Sequence, residues 1–146
     1  MEFIKEDYFH IYNRGNNRDK IFYSRSNYLF FLEKIKTHIL PYGDIIAWCL
    51  MPNHFHLMVY VNEVELTLSG DSIQVNITDP FAKSERVEVK RRTLNQSIGI
   101  MLRSYTNAIQ KQEGRTGALF QEETKAVLLS ENISFIPSYF NTAFEL

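Results

Sequence analysis

Apolar positions along the chain change period several times, and each change marks an element. From Asp44 to Val61 they run almost continuously, broken at Pro52-Asn53. Such a run, split by a turn pair, predicts two antiparallel strands, Asp44 to Met51 and His54 to Val61. Upstream, Tyr8 to Asn13 is a short aromatic and β-branched run closed by Arg14-Gly15-Asn16-Asn17, a strand followed by a loop. Tyr28, Phe31, Leu32, Ile35 and Ile39 instead recur at helical spacing. They predict a helix capped by Ser24 or Ser26 and running to about Leu40, before Pro41-Tyr42-Gly43. The same period returns in Leu94, Ile98, Met101, Leu102, Tyr105 and Ile109, a helix capped by Thr93 and stopped by Gly114. Ala118 to Phe120 and Lys125 to Leu129 supply a last extended segment.

Between the second helix and the strands before it, Val64, Leu66, Leu68 and then Ile73, Val75, Ile77 alternate around Ser69-Gly70-Asp71. That is a hairpin pattern, ended by Asp79-Pro80. It is an excursion from the domain and not a second one. Residues 131–146 mix Pro137 with several aromatics and predict no element. Strand, helix, strand, strand, helix, strand is the order of an α+β, ferredoxin-like antiparallel sheet with both helices on one face.

Composition narrows the setting. A chain of 146 residues suits one domain with one core, and eleven Phe and eight Tyr provide bulk to fill it. The single cysteine, Cys49, excludes an internal disulfide and, with Trp48, is assigned to packing. No apolar stretch reaches the ~18 residues of a membrane span. Glu2, Lys5, Glu6 and Asp7 leave the N-terminus without a signal peptide's apolar centre. A soluble cytoplasmic protein is the expectation. Net charge is −1, against a broadly basic coat, yet the charges are unevenly placed. Residues 61–82 carry only acids, whereas residues 83–115 include Lys83, Arg86, Lys90, Arg91, Arg92, Arg103, Lys111 and Arg115. This stripe could grip phosphates or simply be a solvated helix face. Arg14 and Arg18, in the loop after the first strand, could likewise meet a phosphate or form a polar turn.

The chemistry centres on His54 and His56. Alternation on a strand points both imidazoles to one face and Phe55 to the other. Two imidazoles on a rigid strand can begin a divalent metal site, or be the polar face of an ordinary strand. His38, by contrast, lies near a helix C-terminus, where a cation suits the dipole, and is no metal candidate.

Leu50-Met51-Pro52-Asn53-His54-Phe55-His56-Leu57 resembles the signature of the HUH single-tyrosine transposases, in the REP-associated tyrosine transposase branch. His10-Ile11-Tyr12-Asn13-Arg14-Gly15-Asn16-Asn17-Arg18, followed by Ile21-Phe22, is similar to that family's opening strand and loop. Gly114-Arg115-Thr116-Gly117-Ala118-Leu119-Phe120-Gln121 resembles its glycine-rich turn into the last core strand. The resemblance implies one transposase-like domain over residues 1–130, with residues 62–90 a variable connection and 131–146 the start of an incomplete C-terminal segment. It implies His54 and His56 as metal ligands, Mg²⁺ or Mn²⁺ as the ion, and single-stranded DNA with hairpins as partner. Arg14, Arg18, Lys90, Arg91 and Arg92 are then the expected DNA contacts, and a homodimer stays open.

In that family a tyrosine within a Tyr-Ile-x-x-Asn-Pro segment attacks the DNA phosphate, and this sequence contains no such segment. Tyr139 lies nearest the right place, while Tyr105 sits on an apolar helix stripe and is expected in the core. Two functions follow: a metal-dependent strand-transfer enzyme, or a hairpin-binding module that does not cut. The expectation for the chain as it stands is a truncated member that binds but cleaves weakly or not at all.

Overall fold

The computed structural model describes residues 2–68 and 90–129. Elements follow the predicted order. Strand β1 (Asp7–Arg14) leads through a short 3₁₀ turn (Asn16–Arg18) to helix α1 (Arg25–His38). A second 3₁₀ turn (Leu40–Tyr42) opens β2 (Gly43–Met51), which returns as β3 (His54–Val61). Short strands β4 (Glu65–Thr67) and β5 (Arg91–Thr93) precede α2 (Leu94–Glu113) and β6 (Lys125–Leu128).

β2, β3, β1 and β6 form one sheet in that spatial order, and every neighbouring pair is antiparallel. This is the ferredoxin-like arrangement, with the first and third strands of the four at the centre. β4 pairs with β5 in a separate ribbon. The partner of the Val64–Leu68 segment is therefore Arg91–Thr93. The predicted Ser69-Gly70-Asp71 turn and the Ile73–Ile77 strand lie outside the described residues.

Local chemistry accounts for the helix ends. Thr93 Oγ1 accepts from the Gln96 amide at 3.2 Å, and Gln96 Oε1 accepts from the Thr93 amide at 3.0 Å. This reciprocal capping box satisfies two amides that the first turn of α2 leaves without helical partners. Gly114, at φ 59°, ψ 31°, terminates α2 in the left-handed region where glycine carries no Cβ penalty. At α1 the Ser24 amide donates to Asn27 Oδ1 at 3.1 Å.

Both helices cover one face of the sheet. Phe31 and Ile35 from α1, and Ile98, Met101, Leu102, Tyr105 and Ile109 from α2, pack on Phe9, Ile11, Phe55, Leu57, Val59 and Val61. Trp48 packs against this core as expected. Cys49 does not join it: register places it beside His56, and paired residues share a face, so it belongs to the opposite side. Among the described residues no helix is long and apolar enough to cross a membrane.

Tyr105 is fully buried, as its place on the stripe predicts, and its hydroxyl donates to the Ile21 carbonyl at 2.7 Å. Its ring meets Phe31 edge-on at 4.9 Å between centroids. Burial pushes the phenol well above its ordinary pKa. Replacing Tyr105 by Phe keeps the ring and strands a buried carbonyl. The expected loss is about 1–3 kcal/mol in urea unfolding. An unchanged midpoint would show that the bond carries no stability.

Candidate functional site

The face of the sheet away from the helices carries the polar chemistry. On β3, Phe55, Leu57, Val59 and Val61 are buried while His54, His56, Met58 and Tyr60 alternate with them and are half-buried. β1 lies alongside, with Tyr12 opposite His56 and Arg14 opposite His54. Tyr8, His10, Tyr12 and Arg14 therefore share the face of the two histidines.

The imidazoles are closely organised. His54 and His56 stand edge-to-face with ring centroids 5.1 Å apart. His54 Nδ1 lies 2.7 Å from Asn53 Oδ1, and because a carbonyl oxygen can only accept, the ring donates. His10 Nε2 and His56 Nδ1 are 2.8 Å apart, with the rings stacked at 5.0 Å. Tyr12 stacks on His10 at 4.7 Å and on His56 at 5.7 Å.

The loop after β1 is held where it borders these rings. Gly15 donates to the Asn53 carbonyl at 2.7 Å, and Asn16 donates to that of Leu119 at 2.9 Å. Ile21 and Phe22 both donate to the Pro52 carbonyl. The buried Asn13 side chain donates from Nδ2 to Gln121 O at 3.1 Å and to Thr124 Oγ1 at 2.9 Å. A Cβ at residue 15 would lie 1.9 Å from the Asp19 carbonyl oxygen, so only glycine fits this turn of the loop.

A cleft of about 480 Å³ opens between these pieces. His54 and His56 form part of its wall, with Tyr12 and Asn53 beside them, Arg14 and Arg18 on one side, and Gln121, Glu123 and Lys125 on the other. Arg14 and Arg18 are exposed. Lys125 is already paired with Glu123.

Lys90, Arg91 and Arg92 are not at this cleft. They line a second one of about 430 Å³, with Gln96 and Arg103. Tyr42 Oη donates to the Arg92 carbonyl at 3.0 Å, and Gly43 pairs with Val61, at the opposite end of β3 from His54. His54 and Val61 are seven residue steps apart along β3, roughly 23 Å at about 3.3 Å per step. The five basic residues expected as DNA contacts therefore line two separate clefts. Arg14 reaches the motif because β1 pairs with β3, whereas Arg91 and Arg92 belong to β5, which pairs with β4. Tyr105 lies in the helix layer, across the sheet from the histidines. Tyr139 lies outside the described residues.

His10, Tyr12, Asn53 and Gln121 are additions that sequence reasoning missed. The alternation rule applied to His54 and His56 also puts His10, Tyr12 and Arg14 on one face of β1. That this face is shared with β3 depends on which strands are neighbours.

Burial depresses all three site histidines. Desolvation lowers His10 and His54, and desolvation aided by the neighbouring His10 and His54 pushes His56 down to about 4. The rings are thus neutral near pH 7, the form that ligates metals. His38, placed at the end of α1 as expected, is likewise lowered, by burial and by Lys34 and Arg92, so its charge is disfavoured despite the helix dipole.

As a donor set, two neutral imidazoles fit part of a divalent site. Among the described residues no group of three or more His, Cys, Asp or Glu could complete it. Gln121 and Glu123 line the same cleft and carry oxygen atoms, and an oxyanion of a bound ligand could supply the rest.

No protein-family model matches the chain, and no curated protein matches it. Among solved structures, it is similar to a REP-associated tyrosine transposase bound to a REP hairpin. The TM-score is 0.52 at 13% sequence identity, over 88% of this chain. The matched region spans 59% of that neighbour's length. The similarity is one of fold.

Lowered histidine pKa values make acid stability a test of this geometry. Between about 4 and 6.5 the unfolded chain binds the proton that folded His56 refuses. This contribution is full above the unfolded value and is lost as pH falls through that window. In metal-free protein, an NMR titration should give a His56 midpoint near 4, with unfolding stability declining from pH 6.5 downward. A midpoint near 6.5 would contradict the burial described above.

Proposed function

We propose that this chain is a transposase-like DNA-binding protein whose partner is single-stranded DNA that forms hairpins. The observation that carries this reading is the convergence of His54, His56, Arg14 and Arg18 on one cleft of the sheet face away from the helices. Exposed guanidiniums at the rim can neutralise phosphates, and the loop that bears them is anchored by backbone bonds at both ends of the crossing. The fold similarity to a transposase bound to a hairpin supports the same partner. Lys90, Arg91 and Arg92 offer a second contact region at the far end of the sheet.

His54 and His56 are proposed as ligands of a divalent metal, Mg²⁺ or Mn²⁺, with the DNA phosphate among the oxygen donors. A bound ion would polarise the phosphate and steady charge on its oxygens. Strand cleavage further requires a nucleophile, for which Tyr139 is the proposed residue. Its phenolic oxygen would attack phosphorus, the bond to the 3′ oxygen would break with proton uptake there, and a 5′-phosphotyrosine would remain. Tyr105 is on the wrong face for this role.

Three measurements check these proposals. Hairpin single strands should bind with an affinity that falls steeply with salt, because phosphate contacts release counterions. Changing Arg14 and Arg18 together to Ala should weaken binding and reduce the salt slope by about two. A slope equal to that of the unchanged protein would remove the loop from the interface. Mn²⁺ binding by calorimetry should disappear when His54 and His56 are both Ala, and persistence would end the metal assignment. Denaturing electrophoresis after incubation with a hairpin strand and Mn²⁺ should reveal a weak adduct or none, and an adduct lost on Tyr139→Phe would establish Tyr139 as the nucleophile. Binding without any adduct would make the chain a hairpin-binding module.

A further inference from the structure

We infer that Arg115, in the glycine-rich turn after α2, is a positioning residue: its guanidinium latches the tip of the loop after β1 and so holds Arg18 at the histidine cleft. The use of Arg18 against DNA rests on the proposed function; the latch itself does not.

The loop tip adopts an unfavourable backbone. Asn17, at φ 52° and ψ 22°, and Arg18, at φ 62°, are successive residues in the left-handed region. Asparagine visits that region readily, whereas arginine stays in it only where its neighbours hold it. Packing does not hold it here, because residues 17–20 are all exposed. Backbone bonds fix the chain on either side of the tip, at Asn16 through the Leu119 carbonyl and at Ile21 through that of Pro52.

Between those two anchors, among the described residues, a single hydrogen bond or ion pair reaches residues 17–20 from outside the loop. It joins Arg115 to Asp19, the residue after Arg18, with Nη2 3.5 Å from Oδ2. Nη1 of the same guanidinium donates to Tyr23 Oη at 2.8 Å, just before α1. One planar fork therefore spans residues 19–23, a geometry that a lysine ammonium does not offer. The pairing also offsets the Asp19 carboxylate, which would otherwise repel a phosphate approaching Arg18.

The base of the latch is itself fixed. The Arg115 amide donates to the Gln110 carbonyl at 3.1 Å, and Gln110 Nε2 donates to the Gly117 carbonyl at 2.6 Å. The turn is thus tied to the end of α2 on both sides of Arg115. The Arg115 side chain is 23% exposed against 54% for Asp19, so the anchor is the better buried of the pair. Arg18 walls the histidine cleft and Arg115 does not, so any effect of Arg115 there passes through the loop.

The test uses the whole chain. In the DNA-free protein, exchange of the Arg18 amide, which donates to the Gly15 carbonyl at 3.1 Å, reads the loop tip. Exchange in β1 and β3 reads the sheet. Arg115→Ala should speed Arg18 exchange by about 3- to 10-fold, the weight of a half-exposed charge-assisted contact, and leave the sheet unchanged. Asp19→Ala combined with Tyr23→Phe removes both partners at exposed positions and should match it. For a DNA hairpin strand, Arg115→Ala should weaken binding and lower the salt slope by about one, as loss of one phosphate contact does. In an Arg18→Ala background, Arg115→Ala should cost no further affinity, which separates positioning from direct contact or general destabilisation. Unchanged Arg18 exchange in Arg115→Ala would overturn the latch. An equal loss of affinity with and without Arg18 would overturn its action through Arg18. If Arg115→Ala fails to fold, Arg18 exchange in the Asp19→Ala, Tyr23→Phe protein decides the latch. If the unchanged protein binds no hairpin strand, the proposed function fails, and the exchange comparison still decides the latch.

Discussion

Everything at the candidate site depends on the alternation of β3 between the face under the helices and the face away from them. Phe55, Leu57, Val59 and Val61 are fully buried beneath the two helices. Because side chains on a strand alternate, burying these four turns His54 and His56 outward together. A slip of one residue would exchange the sets, placing imidazoles in the apolar layer and Phe55 in solvent. The hydrophobic effect that closes the core therefore also aims the histidines. Their position on a central strand, bonded on both sides, keeps that aim rigid.

The second constraint is the crossing of three segments at the end of the sheet. The loop after β1, the Pro52-Asn53 turn and residues 119–121 exchange backbone bonds there. Asn13 ties β1 to the approach of β6 through its side chain. The loop's own Asp19 carbonyl leaves no room for a side chain at Gly15, and the crossing sets Arg14 and Arg18 beside the imidazoles. The same turn that reverses the chain between β2 and β3 supplies Asn53, which orients His54. Folding and site assembly thus use the same bonds.

Electrostatically the cleft is divided. Its wall carries neutral, desolvated imidazoles stacked with Tyr12, and its rim carries exposed guanidiniums. The rim offers attraction to an anion, while the wall offers lone pairs that charge does not occupy. Lys125 adds little further attraction, since its exposed ammonium is already matched by Glu123. An anion and a divalent ion could be held together in such a cleft, each compensating the charge of the other.

Local patterning alone determined a good part of this protein. The helical stripes, the Thr93 cap, the Gly114 stop and the Pro52-Asn53 turn act over a few residues, so the chain states them directly. The ferredoxin-like order followed from the succession of elements, and the common face of His54 and His56 from period two. Cys49 shows the limit: its type suggested packing, but pairing with β3 places it beside His56 on the side away from the helices. Strand neighbours decided the rest. His10 is 46 residues from His56, and their contact exists because β1 inserts between β3 and β6. Likewise Lys90, Arg91 and Arg92 belong with the motif by charge but stand at the other end of the sheet by topology. Long-range pairing sets such distances, and it is written in no single segment of the sequence.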